Sequence, residues 1–201
     1  MSTRTRSRAA FVLGLLAAPL APLHGQWTLT GGIRAPRFSG GAVEAATESS
    51  LSPYRPTVFG LGLERDGRRV GMGLRLYYTS SSLALEAADA VSAVKDALTV
   101  YGAEPEVSLR LARVGQDGVL RLYGGPLLEF WDLGGSVTRT RLGMSAELGL
   151  EVPFGGHWSG AIRAGAAVTP SSPFTREDLD AAFEPRTLWR REIEGSLRYR
   201  L

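Results

Sequence analysis

Cysteine is absent from all 201 residues, and histidine occurs only twice. The first absence excludes disulfides, thiolate metal sites and cysteine nucleophiles. His24 falls in a segment expected to be removed, which leaves His157 alone and excludes a multi-histidine metal site. Beyond residue 25 no stretch approaches the ~18 consecutive apolar residues of a membrane-spanning helix. A surplus of one charge is missing there too. Arg4, Arg6 and Arg8 leave with the first segment, so Lys+Arg falls from 23 to 20 against 20 Asp+Glu. The pI of about 9.6 belongs mostly to that segment, and the basic face that nucleic-acid binding needs is lacking.

The first segment has three parts in order: the basic start, the short apolar run Ala9–Leu20 (AAFVLGLLAAPL) and the turn-like APLHG. This is the order of a secretory signal peptide, with cleavage expected after Gly25. Residues 26–201 are then one domain.

What that domain has is alternation. From Thr187 to Leu201, Trp189, Ile193, Leu197, Tyr199 and Leu201 share one parity, while Arg190, Glu192, Glu194, Arg198 and Arg200 share the other. Side chains on a strand alternate between faces, so this is a two-faced β-strand. The same pattern recurs over about 26–34, 57–64, 69–78, 99–112, 119–131, 137–152 and 158–169. Arg65-Asp66-Gly67-Arg68, Gly115-Gln116-Asp117-Gly118 and Pro153-Phe154-Gly155-Gly156-His157 read as tight turns. The other connections are longer: 35–56, 79–98, about 132–136 and 170–186. Ala87, Val91, Val94 and Leu98 fall at helical spacing, predicting a short helix in the second of these. Thr175-Arg176-Glu177-Asp178 could cap one helical turn in the last.

Eight strands of about 9–11 residues, short turns at one end and longer loops at the other, predict an all-β, antiparallel, up-and-down transmembrane barrel. The alternative is a secreted, soluble, lipocalin-like barrel with the apolar face inside. Three features favour polar-inside. Gly32, Gly60, Gly62, Gly71, Gly73, Gly125, Gly143, Gly149 and Gly165 all lie on the polar face, where a narrow interior would use the space. Trp27, Tyr78, Tyr101, Phe130, Trp158, Trp189 and Tyr199 lie near strand ends, where interfacial girdles belong. The polar face also carries Arg34, Arg75, Arg110, Arg121, Arg141, Arg163, Arg190, Arg198 and Arg200 against Glu64, Glu104, Glu106, Glu129, Glu147, Glu151, Glu192 and Glu194. This near balance predicts an ion-pair network filling the lumen, built on arginine because its planar fork grips carboxylates.

Over residues 26–201 the chain resembles the small outer-membrane barrels: the OmpA transmembrane domain, OmpX and OmpW-like proteins. Ile193, Leu197, Tyr199 and Leu201 resemble the C-terminal assembly signal of such barrels, although Gly195 is a gap and the terminal residue is usually aromatic. The resemblance implies residence in the outer membrane of a diderm bacterium, contact with its lipid and lipopolysaccharide, and handling by the barrel-assembly machinery. Its OmpW-like side implies transport of small hydrophobic compounds.

Candidate chemistry is sparse. His157-Trp158-Ser159 is similar to the His-x-Ser pair of outer-membrane lipid A deacylases, but the region expected to supply the acid reads Ser171-Ser172-Pro173. The pairs Glu104/Glu106 and Glu192/Glu194 share a face with arginines, which favours ion pairing over acid–base work. The expectation is a monomer without cofactor, enzymatic activity or nucleic-acid partner. A structural role is expected, or surface recognition of an extracellular ligand through the loops at 35–56, 79–98 and 170–186. A narrow pore remains an alternative.

Overall fold

The computed structural model describes residues 26–44, 49–86, 91–133, 138–177, 179 and 182–201. The signal peptide expected over 1–25 lies outside them. All regular structure in the described residues is β: β1 (Gln26–Glu44), β2 (Ser49–Tyr54), β3 (Val58–Asp66), β4 (Val70–Glu86), β5 (Val91–Val114), β6 (Gly118–Asp132), β7 (Thr138–Gly155), β8 (Trp158–Thr169) and β9 (Phe183–Arg200). Neighbours pair antiparallel, and β1 pairs with β9 to close the ring.

The sequence predicts eight strands and the described residues form nine, because one wall position is broken. β2 pairs with the far ends of β1 and β4, and β3 pairs with the remainder of the same two strands. The break falls at 55–57, where Arg55 has a φ of 42° and Pro56 has no N–H to donate. Carbonyls freed there are met from β4: Thr79 Oγ1 donates to Thr57 O at 2.8 Å and Ser81 Oγ to Tyr54 O at 3.4 Å.

Two expected connections are largely strand. β1 continues to Glu44 and β4 to Glu86, and the predicted helix is the start of β5. There Val91, Val94 and Leu98 pair with Glu86, Leu83 and Ser81, because a neighbouring strand satisfies the backbone that a lone helical turn would leave open. Register shifts at Gly40/Ala42 and Ser81/Leu83 interrupt the alternation that would have revealed both extensions. Ala87 and residues 134–137 lie outside the described residues. Arg176 and Glu177 form a turn, and Asp178 lies outside the described residues.

Following paired residues around the wall gives the geometry. From Trp27 the path runs through Arg65, Met72, Val107, Gly124, Ala146, Ala166 and Arg191, and returns to β1 at Arg37, ten residues further on. Ten residues of ~3.3 Å rise over eight strand spacings of ~4.8 Å tilt the strands by about 40°. This stagger brings residues far apart in sequence to one level of the interior.

Candidate functional site

The outward face is an apolar belt. Leu29, Ile33, Leu61, Leu74, Leu76, Val107, Leu142, Met144, Ile162 and Ile193 are all exposed on it. The soluble-barrel alternative required the reverse arrangement, and the outward apolar face overturns it. Phe59, Tyr78, Tyr101 and Phe130 are successive cross-strand partners and form an aromatic row, with the Tyr78 and Tyr101 rings 5.3 Å apart. At the turn end, Trp158 packs on Tyr199 at 4.8 Å, with Trp27 nearby on β1. From Tyr199 to Trp189 on β9 is ten residues, a rise of ~25 Å at this tilt. That matches the apolar band of a transmembrane barrel between its two aromatic girdles.

The lumen between the girdles is filled by charge. Nearest the turns, Arg198 Nη2 lies 2.9 Å from Glu64 and 3.1 Å from Asp66, and Nη1 contacts Glu151. Arg121 joins Asp66 at 3.1 Å and Glu151 at 3.2 Å. Arg163 bridges upward, from Glu64 at 2.6 Å to Glu106 at 3.1 Å, with its guanidinium 3.7 Å over the Tyr123 ring. At mid-height Arg75 contacts four carboxylates: Glu104 at 3.0 Å, Glu106 at 3.2 Å, Glu147 at 2.8 Å and Glu194 at 2.9 Å. Arg34 ties Glu194 at 2.6 Å to Glu104 at 3.1 Å and Glu192 at 3.7 Å. Higher still, Arg190 holds Glu129 at 2.9 Å and Glu192 at 3.1 Å.

Glycine makes room for this filling. A Cβ on Gly102 would come within 1.9 Å of the Tyr77 ring, and one on Gly149 would meet Tyr123 at 2.9 Å. Two inward tyrosines thus lie over inward glycines. Tyr77 donates to Glu129 at 2.7 Å, and Tyr123 donates to Glu151.

Beyond Glu129 the interior changes character. Trp131 Nε1 and Thr169 Oγ1 each donate to Glu129 Oε2 at 3.2 Å, and Trp131 itself is 0 % exposed. Around it Val58, Tyr77, Leu98, Val100, Leu127, Ala167 and Leu188 form an apolar cluster, flanked by Phe38, Leu83 and Leu133. Sequence reasoning missed this cap because most of its residues were assigned to connections or to no face.

Alternation also placed Arg110 and Arg200 in the network, and among the described residues neither pairs with a lumen carboxylate. Arg110 and Arg200 line a vestibule of about 370 Å³ at the turn end, whose inner wall includes Arg121 and Arg198. Arg141 donates to Ser172 O at 2.6 Å, in the segment after β8. Asp66, which sequence reasoning left in a turn, takes a carboxylate position instead. Among the described residues the expected balance of nine arginines and eight glutamates becomes six arginines (34, 75, 121, 163, 190 and 198) facing nine carboxylates, the eight glutamates with Asp66. Among the described residues no group of three acids or histidines is arranged to hold a metal ion.

His157 sits exposed at the β7–β8 turn. Its Nδ1 lies 2.8 Å from Arg200 O, as a donor in the tautomer protonated there. On the last strand, Ile193, Leu197 and Leu201 point outward, and Tyr199 packs between Trp158 and His157.

No family model matches the chain, and no curated protein matches its sequence. Solved structures do match. Neisserial surface protein A is similar over 87% of this chain and 97% of its own, at 11% identity and a TM-score of 0.59. The outer membrane protein OprG from Pseudomonas aeruginosa is similar over 88% and 96%, at 11% identity and 0.54. The outer membrane protein AlkL, solved in lipid bilayers, is similar over 88% and 90%, at 8% identity and 0.50. At such identities the likeness is one of fold. The chain shares the fold of these small outer-membrane β-barrels.

Proposed function

We propose that this protein is a resident barrel of the bacterial outer membrane, with a structural or surface-interaction role and neither catalytic nor channel activity. Residues 1–25 act as its cleaved signal peptide, and residues 26–201 are the barrel. The observation that carries this reading is the closed lumen. Six arginines and their carboxylates occupy it through the belt, and the buried Trp131 cluster stops its outer end. A wall of eight strand positions leaves an interior that side chains can fill. The turn end faces the periplasm. The long-strand end, where β4 and β5 run on past the aromatic row, faces outward and offers the surface for an extracellular ligand. Lipid and lipopolysaccharide contact the belt, and Ile193, Leu197, Tyr199 and Leu201 form the face that the assembly machinery reads.

The test is planar-bilayer recording of the full chain after heat-modifiable gel mobility has established that it is folded. Absence of steady conductance is expected, and a steady conductance of nanosiemens size would overturn the closed-lumen reading. A second reading, sideways passage of a small hydrophobic molecule through the outer end of the wall, is supported by one feature. Gly40, Pro170, Pro185, Thr187 and Trp189 line a cleft where β8 ends and the β1–β9 register shifts. Faster uptake of a fluorescent alkane by cells expressing the protein would favour this reading over the first.

A further inference from the structure

Arginines inside the barrel meet carboxylates, whereas two on the outside stand opposite each other across a strand pair. Arg37 on β1 and Arg191 on β9 are direct cross-strand partners, and both are exposed. Like charges directly opposite one another on a sheet destabilise it. Neither has a carboxylate partner among the described residues. Arg37 Nη1 donates to Pro36 O at 3.0 Å, and Glu184, further along β9, pairs with Arg186 at 3.7 Å.

Their height makes the arrangement more costly still. Arg37 lies ten residues along β1 from Trp27 of the turn-end girdle, which at this tilt is ~25 Å higher, level with the outer girdle. Trp189 shares the face two residues from Arg191 and is 52% exposed. On the belt side the next outward pair is Ala35 and Ile193. Two exposed arginines therefore leave directly opposed strand positions at the level where the acyl region gives way to headgroups.

We infer that Arg37 and Arg191 form a phosphate site for a glycolipid headgroup of the outer leaflet. The inference rests on the outer-membrane reading with the long strands outward. A phosphate between the two forks accepts charge-assisted hydrogen bonds from both and turns their repulsion into a clamp. Trp189 gives the adjoining sugar or upper acyl carbons an amphipathic surface. The occupant is a lipid rather than free phosphate, because the site opens sideways onto the belt immediately above Ala35 and Ile193.

The test uses the full chain, folded in non-ionic detergent and titrated with bis-phosphorylated lipid A, its dephosphorylated form and phosphatidylglycerol, with bound lipid read by native mass spectrometry. The natural protein should hold the phosphorylated lipid A about tenfold or more tightly than either of the others. Arg37→Ser/Arg191→Ser should lose that preference, while Arg69→Ser/Arg113→Ser, exposed at the turn end, should keep it. In lipid-free detergent the Arg37/Arg191 variant should unfold no more readily than the natural protein, since a repulsion has been removed. Equal binding of the three lipids by the natural protein overturns the site whatever the variants do. So does a preference that survives in Arg37→Ser/Arg191→Ser. A protein that shows no heat-modifiable mobility and does not enter detergent micelles overturns the outer-membrane reading as well. One that embeds normally yet shows no phosphate preference overturns this inference alone.

Discussion

Inside the belt the lumen is packed with Arg34, Arg75, Arg121, Arg163, Arg190 and Arg198 and their acids; past Glu129 the same lumen is packed with Trp131, Leu98, Val100 and Leu188. Both regions are dense, and one closed ring of strands encloses them. They differ in what lies outside the wall. Within the belt the outer face meets lipid, so the apolar residues point out and the inward positions are free to be polar. Beyond the aromatic row the outer face meets water, and the inward positions take up the apolar residues, as in a soluble protein. β5 crosses the boundary in a few residues. Glu106 and Glu104 point inward, Tyr101 marks the girdle on the outside, and Val100 and Leu98 point inward beyond it. The aromatic row is therefore where the polarity of the two faces inverts.

The largest expected effect breaks the charged half. Arg75→Ala leaves Glu104, Glu106, Glu147 and Glu194 around an empty position, and an uncompensated buried charge of this kind costs ~3–5 kcal/mol. Urea unfolding in lipid vesicles, followed by tryptophan fluorescence, measures it. A loss under about 1 kcal/mol would mean that water or counterions already neutralise the centre.

The next test moves one substitution across the inversion. Leu74→Arg, on the lipid face between the girdles, should cost ~2–4 kcal/mol. Leu85→Arg, also outward but past the aromatic row on β4, should change stability by less than about 0.5 kcal/mol. Equal costs in the same assay would mean that the belt does not end at the aromatic row.

How much of this was legible in the sequence follows the same division. The strands inside the belt alternate sharply because their two faces meet opposite environments, so the fold class and the inward face could be read directly. Past the girdle the inversion, the breaks in register at Gly40 and Ser81, and the interruption at Arg55-Pro56 remove that contrast, and strand was read as connection. The pairings were not legible either. Arg34 meets Glu194 across 160 residues and Arg75 meets Glu147 across 72, and both depend on a ten-residue stagger that no local pattern carries. Asp66 reads as a turn residue beside Gly67, and only the register turns it toward Arg121 and Arg198. Arg110 and Arg200 have the right parity but stand too near the turn end to join the ion-paired interior.

A polar group placed in the apolar half tests the inversion from within. Leu98→Gln puts an amide into the apolar cluster of Trp131 and Val100, and should cost ~1–3 kcal/mol by the same unfolding measurement. If the variant matches the natural protein, water already enters the outer end, and the cap is not the seal on the lumen.

The smallest effect expected is a gain, and it separates the two faces of the wall at single glycines. Gly195 faces outward on β9 between Ile193 and Leu197, paired with Ile33 on one side and Ile162 on the other, and an added Cβ there meets nothing within 4 Å. Glycine inside a strand weakens it and contributes no packing, so Gly195→Leu should fill a gap in the belt and stabilise by ~0.5–1 kcal/mol. Gly102→Ala adds only a methyl, but on the inward face, where that carbon would lie 1.9 Å from the Tyr77 ring and push its hydroxyl off Glu129. It should destabilise by ~1–3 kcal/mol. The opposite signs follow from the side of the wall and not from the residue type. If Gly195→Leu destabilised instead, that stretch of β9 would be pressed against another protein surface rather than lipid, and the expectation of a monomer would fail with it.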